Sequence, residues 1–241
     1  MTVSSFLRGG TLLFLAPFVT IYYSMAILVA IFLFHLPEDK LQRYPSQWAR
    51  KFCQIAGVRV IIEGADKLQP QTGYIYCANH LSQFDTFSFQ GYFPLGFRWL
   101  AKEELFKVPF LGRAMANAGA IAINRSHGRE AVKSLQQAAE RIKAGTSILI
   151  FPEGTRSSDG TLQPFKGGAM LLAIKAEVPI VPVAFAGSYF VLPKGTFFPR
   201  PGTITIKVGD PVPVSGSSNK DKLALAITIH DKVAELLGQT G

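Results

Sequence analysis

The feature that most constrains this chain is an uncharged stretch near its N-terminus. Residues Thr11 to Leu36, TLLFLAPFVTIYYSMAILVAIFLFHL, contain no Lys, Arg, Asp or Glu. As an α-helix, these 26 residues would extend about 39 Å, which exceeds the roughly 30 Å hydrocarbon layer of a bilayer. We therefore expect a membrane-embedded element, with a buried core helix or a cleaved signal peptide as the alternatives.

Two membrane geometries are compatible with this stretch. Pro17 and a break at Tyr22-Tyr23-Ser24 permit either a single tilted span or a helical hairpin that enters one leaflet. Basic residues are more frequent after the stretch than before it, where Arg8 stands alone; those that follow are Lys40, Arg43, Arg50 and Lys51. This asymmetry predicts that the body of the protein lies on the cytoplasmic side of the cell membrane.

The segment SQWARKFCQIA, which follows, has the pattern of an amphipathic helix. Trp48, Phe52 and Ile55 share one face, and Arg50 and Lys51 lie away from it. This pattern is typical of an interfacial helix, although a helix that packs on a core has nearly the same one.

Composition narrows the class of partner. The formal net charge of +9 indicates an anionic partner, either nucleic acid or a phospholipid surface. The uncharged stretch favours the phospholipid membrane, and the lack of interleaved basic and aromatic residues argues against nucleic acid. Cys53 and Cys77 lie in apolar surroundings without metal-ligand spacing, so we expect small core residues in a reducing compartment.

Beyond residue 57, short apolar runs alternate with helical patterns. The candidate strands are Val58–Glu63, Tyr74–Ala78, Trp99–Ala101, Ala118–Ile123, Ser147–Phe151, Ile180–Phe185 and Thr203–Val208. The candidate helices run from a Ser126 cap to Gly145, from Gly167 to Ala176 and from Lys220 to Leu237. The sequence thus predicts an α/β fold, with a mixed or parallel sheet flanked by helices, after an N-terminal membrane-embedded helix or helical hairpin.

A histidine and an aspartate follow the second predicted strand. On one continuous helix, His80 and Asp85 would lie about 140° apart and could not touch. If the strand ends at Ala78, His80 falls in a loop and Asp85 in the first turn of the next helix, so the loop can bring them together. The carboxylate would then fix the imidazole tautomer, which predicts His80 as a general base and leaves Ser82 a structural role.

A second polar cluster follows the predicted strand Ser147–Phe151. Its loop, FPEGTRS, offers backbone amides, a hydroxyl and a guanidinium to an anion, and basic residues follow two other predicted strands. Each feature alone is compatible with an ordinary turn, a local Glu153–Arg156 ion pair or a surface cation. Together with the His80–Asp85 pair, Arg125 and Arg156 predict a phosphate pocket beside the base.

Four blocks of the sequence resemble the signature of the glycerolipid acyltransferases, particularly the 1-acyl-sn-glycerol-3-phosphate acyltransferases. The blocks NHLSQFD, GAIAINR, FPEGTRS and IVPV occur in that family's order between Asn79 and Val183, accompanied by Phe165-Lys166-x-Gly168. Ala122 departs from the pattern, because the second block usually carries a bulky aromatic residue there. The departure leaves open the shape of the pocket near Arg125, not its charge.

This resemblance implies acyl transfer from acyl-CoA or acyl-carrier protein to the sn-2 hydroxyl of lysophosphatidate, giving phosphatidate. His80 would accept the hydroxyl proton, and Asp85 would orient the imidazole. Arg125, Glu153, Gly154, Thr155 and Arg156 would bind the acceptor's phosphate and glycerol, and Glu153 would do so by fixing an arginine. Asn79 would join these substrate-binding residues, and Lys102 is a further candidate cation near the phosphate, with a surface lysine as the alternative. No metal or other cofactor is expected, since a thioester is already an activated acyl group. Residues 1–57 would form the membrane anchor and interfacial helix, and residues 58–241 an α/β acyltransferase domain.

Two aromatic groups fit this activity. A tunnel for the acyl chain would draw on residues near the first block, most of them ordinary core: Phe84, Phe87, Phe89, Phe93, Phe106, Phe110 and Leu111. The loop Lys194–Arg200 carries Phe197 and Phe198 between cations, and we hypothesise that it dips into the bilayer, a core-capping loop being the alternative.

Two further functions remain open at this point. The acceptor could instead be glycerol-3-phosphate or another lysophospholipid, because two arginines only weakly favour a phosphate monoester over a diester. A non-catalytic lipid-binding protein is the other alternative, and the intact His80–Asp85 pair argues against it.

Overall fold

Seven strands form one mixed sheet in the computed structural model, which describes residues 3–123 and 129–239. The strands are β1 Val58–Glu63, β2 Ile75–Ala78, β3 Arg98–Lys102, β4 Ile121–Ile123, β5 Ile148–Ile150, β6 Ile180–Ala186 and β7 Gly202–Val208. Every predicted strand is therefore confirmed, with ends that differ by a few residues.

Helices cover both faces of the sheet. They are α1 Val3–Phe32, α2 Glu38–Leu41, α3 Arg43–Ala56, α4 Gln83–Tyr92, α5 Leu111–Asn117, α6 Arg129–Lys143, α7 Gly168–Ala176, α8 Ser188–Val191 and α9 Lys222–Leu237. Short 3₁₀ helices lie at Ala65–Lys67 and Glu103–Lys107. The three helices predicted after β4 are present as α6, α7 and α9, whereas the predicted Ser126 cap lies outside the described residues.

The strand order places several loops at one edge of the sheet. The order is β1-β7-β6-β2-β5-β3-β4, and all neighbours are parallel except β6 and β7. The carboxyl ends of β6, β2, β5, β3 and β4 consequently meet at the same edge, where ligands bind in open α/β sheets. The predicted α/β class with a mixed sheet is confirmed.

The central strand β2 separates two hydrophobic cores. Ile75 and Cys77 face the core beneath α6, α7 and α9, whereas Tyr76 and Ala78 face the core beneath α3 and α4. This alternation is the two-residue period of a strand, and burial on both sides explains why the run is apolar throughout.

Helix α1 is unbroken. It continues through Pro17 and through Tyr22–Ser24, so the predicted break at Tyr22–Ser24 is wrong. Within the described ranges, only the segment Phe6–Phe32 is long and apolar enough to cross a membrane. Because only 22% of its most apolar window is buried inside the protein, the alternative of a core helix does not fit.

One side of α1, together with α3, packs on the sheet. Leu12 belongs to the same core as β2, and the Trp48 indole donates a hydrogen bond to Thr20 Oγ1 at 3.1 Å. Trp48 and Phe52 also pack on Phe87 of α4, with ring centroids 5.3 and 4.7 Å apart. Of the two alternatives for this face of α3, packing on the protein is the one observed, because α4 provides it with an aromatic partner.

Candidate active site

The sequence between β2 and α4 brings His80 and Asp85 together. Ser82 caps α4, and Asp85 lies in its first turn, where Oδ2 accepts the backbone N–H groups of Leu81 and Ser82 at 2.7 and 2.8 Å. The same oxygen lies 3.0 Å from His80 Nδ1. The predicted loop-to-helix geometry is present, and the capping box that starts α4 also fixes the carboxylate.

This arrangement determines the imidazole tautomer. Asp85 is completely buried, and its oxygen accepts hydrogen bonds from backbone donors, so it acts as an acceptor for a proton on Nδ1. In the neutral ring, Nε2 then carries the lone pair. His80 lines a cavity, so this nitrogen can serve as a base toward a bound molecule.

The loop after β5 holds His80 on three sides. The Phe151 ring stacks on the imidazole, with centroids 3.8 Å apart and planes 11° from parallel. Glu153 Oε1 accepts the His80 N–H at 3.1 Å, and the Ser157 N–H donates to the His80 carbonyl at 2.8 Å. Both the ring and the backbone of His80 are therefore fixed by the FPEGTRS loop.

Glu153 contacts the backbone of His80. Its side chain is buried, and it forms no ion pair with Arg156; whether it fixes Arg125 instead lies outside the described residues. Burial raises the pKa of Glu153 to about 7, the nearby Asp85 adds to the rise, and the N–H groups of His80 and Gln163 oppose it. Because it accepts the His80 N–H, Glu153 helps to position His80.

Asn79 is likewise structural. Its Nδ2 donates to the Phe185 carbonyl at 3.1 Å, and its Oδ1 accepts the Phe185 N–H at 2.7 Å. The side chain is fully buried, and both ends of the amide are used by β6. The predicted substrate contact is replaced by a link between the β2 end and β6, which sets the position of His80.

A cavity of about 860 Å³ opens beside His80. Of the residues predicted to bind an anion, Lys102, Gly154, Thr155 and Arg156 line it, whereas Arg125 lies outside the described residues. Apolar side chains from β3, β5 and α5 and from their flanks line much of the remainder: Phe97, Trp99, Leu100, Leu111, Ala114, Met115, Ala118, Leu149 and Ile150. Of the seven tunnel candidates near the first block, all described, only Leu111 is on this wall.

Lys194 contacts the FPEGTRS loop, which we call the anion loop, through hydrogen bonds. Its ammonium donates to the Arg156 carbonyl at 2.9 Å and to Thr155 Oγ1 at 3.3 Å. The sequence placed Lys194 in a membrane loop and gave no role in the site to Phe151 or Ser157. Among the side chains of FPEGTRS, only the charged and hydroxyl groups entered the prediction. Phe151 ends one predicted strand and His80 lies just after another, and this shared position at strand ends was the signal in the sequence for ring stacking.

Comparisons with known proteins find relatives that match most of this chain. The Acyltransferase family model matches residues 59–186. A 1-acyl-sn-glycerol-3-phosphate acyltransferase of Limnanthes douglasii is 38% identical over 159 residues, which is 66% of this chain and 56% of that protein. The Saccharomyces cerevisiae protein of the same name is 36% identical over 211 residues, 83% of this chain and 69% of that protein. The chain thus spans little more than half the length of the plant relative.

A solved structure has the same fold. The crystal structure of the 1-acyl-sn-glycerophosphate (LPA) acyltransferase PlsC from Thermotoga maritima matches with a TM-score of 0.82 and 28% identity, covering 98% of this chain and 95% of that one. The family match includes the His80–Asp85 pair and the FPEGTRS loop and extends over more than half of the sequence. The chain belongs to the Acyltransferase family.

Proposed function

We propose that this protein transfers an acyl group from acyl-CoA or acyl-carrier protein to the sn-2 hydroxyl of lysophosphatidate, giving phosphatidate. The observation that carries the proposal is the imidazole of His80, bonded to Asp85 and stacked on Phe151, on the wall of a cavity that Arg156 also lines. The relatives are 1-acyl-sn-glycerol-3-phosphate acyltransferases, which supports the same acceptor.

In this reaction His80 is the general base. Its Nε2 accepts the proton of the sn-2 hydroxyl while the oxygen attacks the thioester carbonyl and the C–O bond forms. The tetrahedral intermediate then collapses, the C–S bond breaks, and the leaving thiolate takes the proton from the imidazolium. Asp85 stabilises that cation, and such general-base assistance contributes typically about 10²–10⁴-fold in rate. We propose that no metal or other cofactor is needed, because the thioester is already activated.

The cations on the cavity wall fit the acceptor's phosphate. Arg156 offers a planar guanidinium that can bond two phosphate oxygens at once, and Lys102 supplies a second positive charge from the end of β3. We propose Arg125 as a third cation. Gly154 and Thr155 also line the cavity, directly before Arg156 in the sequence, and would contact the glycerol part.

The apolar wall fits the donor's acyl chain. Each methylene transferred from water to an apolar surface contributes about 0.8 kcal/mol, so a chain packed along β3 and α5 would supply much of the donor affinity. Helix α1 would hold the protein at the cell membrane through its exposed apolar side, with the catalytic residues on the cytoplasmic face.

An acyl-transfer assay with purified full-length protein in mixed micelles tests this function. Lysophosphatidate, glycerol-3-phosphate and lysophosphatidylcholine serve as acceptors, each with acyl-CoA and with acyl-carrier protein. We expect the highest kcat/KM for lysophosphatidate, and we expect Arg156→Gln to raise KM for it far more than for lysophosphatidylcholine. Transfer to none of the acceptors would refute the activity, and equal use of the choline ester would refute recognition of a phosphate monoester.

A further inference from the structure

The segment Pro193–Arg200, which lies between α8 and β7, begins with a hydrogen-bonded turn and exposes one aromatic side chain, Phe197. The Thr196 N–H and hydroxyl both donate to the Pro193 carbonyl, at 3.2 and 2.8 Å. Gly195 occupies the third position of the turn with φ +86°, a conformation that other residues adopt only with strain. Phe197 follows directly and is 68% exposed, so it does not cap the core.

The far end of the segment is fixed to the start of α1. The Phe198 ring stacks on Phe6, with centroids 5.3 Å apart and planes 21° from parallel. Gly9 permits this approach, because a Cβ at that position would clash with the Phe198 ring. The exposed Phe197 is therefore held beside the exposed Phe6 and Leu7 of the helix that would enter the membrane.

The near end of the segment is fixed to the active site. The Ser82 hydroxyl, at the cap of α4, donates to the Leu192 carbonyl at 2.9 Å. Lys194 bonds to the anion loop at Thr155 and Arg156, as described above. The segment therefore connects the first turns of α1 with Ser82 and with the anion loop, both of which lie near His80.

We propose that this segment is a second membrane-contacting element, which inserts Phe197 into the headgroup and acyl boundary of an anionic phospholipid bilayer. Its exposed aromatic residue directly precedes Phe198, which stacks on Phe6 of α1, and the exposed cation Arg200 follows, a combination that suits a negatively charged interface. The proposal rests on the membrane attachment of α1 and extends it, because bilayer contact would fix the anion loop where a membrane lipid arrives.

Site-specific labelling of the full-length protein tests the insertion. The native Cys53 and Cys77 are free and buried, so a cysteine introduced by Phe197→Cys can be labelled selectively with an environment-sensitive dye. Ile227→Cys is the matched control, because Ile227 is 63% exposed on α9, on the opposite side of the sheet. In vesicles of phosphatidylcholine and phosphatidylglycerol, nitroxide-labelled lipids should quench the dye at 197 and not at 227. Equal quenching at the two positions would overturn the proposal.

A kinetic measurement separates this proposal from the proposed activity. Phe197→Ser should raise the apparent KM for an acceptor presented in anionic vesicles by about tenfold, the effect of withdrawing one large apolar side chain from the interface, with kcat unchanged. The same variant should match the wild type with a short-chain, water-soluble acceptor, and Ile227→Ser should match it in both assays. An unchanged vesicle KM would refute the membrane role, whereas a wild type inactive in both formats would refute the activity instead.

Discussion

The replacement Asn79→Ala tests whether this residue is structural or binds substrate. It removes both hydrogen bonds to Phe185 and leaves a buried N–H and a buried carbonyl without partners. Each unsatisfied buried group costs about 1–3 kcal/mol, so we expect a loss of about 2–6 kcal/mol of the free energy of unfolding. For a chain of this size, that corresponds to a decrease in the melting temperature of roughly 5–20 °C.

A thiol-reactive dye in detergent gives a direct assay. Cys53 and Cys77 are both buried and free, so the dye reacts only as the protein unfolds. Asn117→Ala is the matched control: its side chain is exposed and makes one bond, to the Arg113 carbonyl, so its melting temperature should stay close to that of the wild type. If Asn79→Ala melted like the wild type and showed only a raised KM for lysophosphatidate, the structural assignment would be refuted.

Three further changes test other parts of the site. Asp85→Asn should lower kcat by about 10²–10⁴-fold with little change in KM, because the amide oxygen can keep the contacts of Oδ2 but lacks the negative charge that stabilises the protonated imidazole; an unchanged kcat would contradict this. Because the pKa of Glu153 is raised in the folded state, the wild type should lose about 3 kcal/mol of folding stability as pH rises from about 4.5 to about 7. Melting curves of Glu153→Gln should not show this loss, and parallel pH profiles of the two proteins would contradict the raised pKa. Ala118 lies on the cavity wall, so Ala118→Leu should shift donor preference to shorter acyl chains, by up to about fourfold in kcat/KM per methylene, whereas Ala116→Leu at an exposed position should not. If the chain-length profile of Ala118→Leu matched that of the wild type, the acyl chain would not bind along this wall.

Local patterns in the sequence were sufficient to predict the sheet and the contact between His80 and Asp85. The apolar runs give the strands, since a strand buried on both faces has few alternatives, and the strand-to-helix loop brings His80 to Asp85 across only five positions. The four blocks located the family without any knowledge of contacts.

Contacts between distant parts of the chain could not be predicted from local patterns. Asn79 bonds to Phe185, which is 106 residues away, and Glu153 bonds to His80 across 73 residues. A polar residue inside one of the four sequence blocks has the same neighbours in the sequence whether its side chain binds a ligand or a neighbouring strand. The aromatic face of α3 was ambiguous for the same reason, because only the position of α4 determines whether that face meets lipid or protein.

The most direct test of the central claim compares two histidine–aspartate pairs in this protein. His80→Ala should reduce kcat for transfer to lysophosphatidate at least about 10²-fold while lysophosphatidate binding and the melting temperature are retained. His230, whose Nδ1 lies 3.0 Å from Asp231 on α9, is the matched control, and His230→Ala should keep full activity. Acyl transfer by His80→Ala at a rate near that of the wild type would contradict the assignment of His80 as the general base.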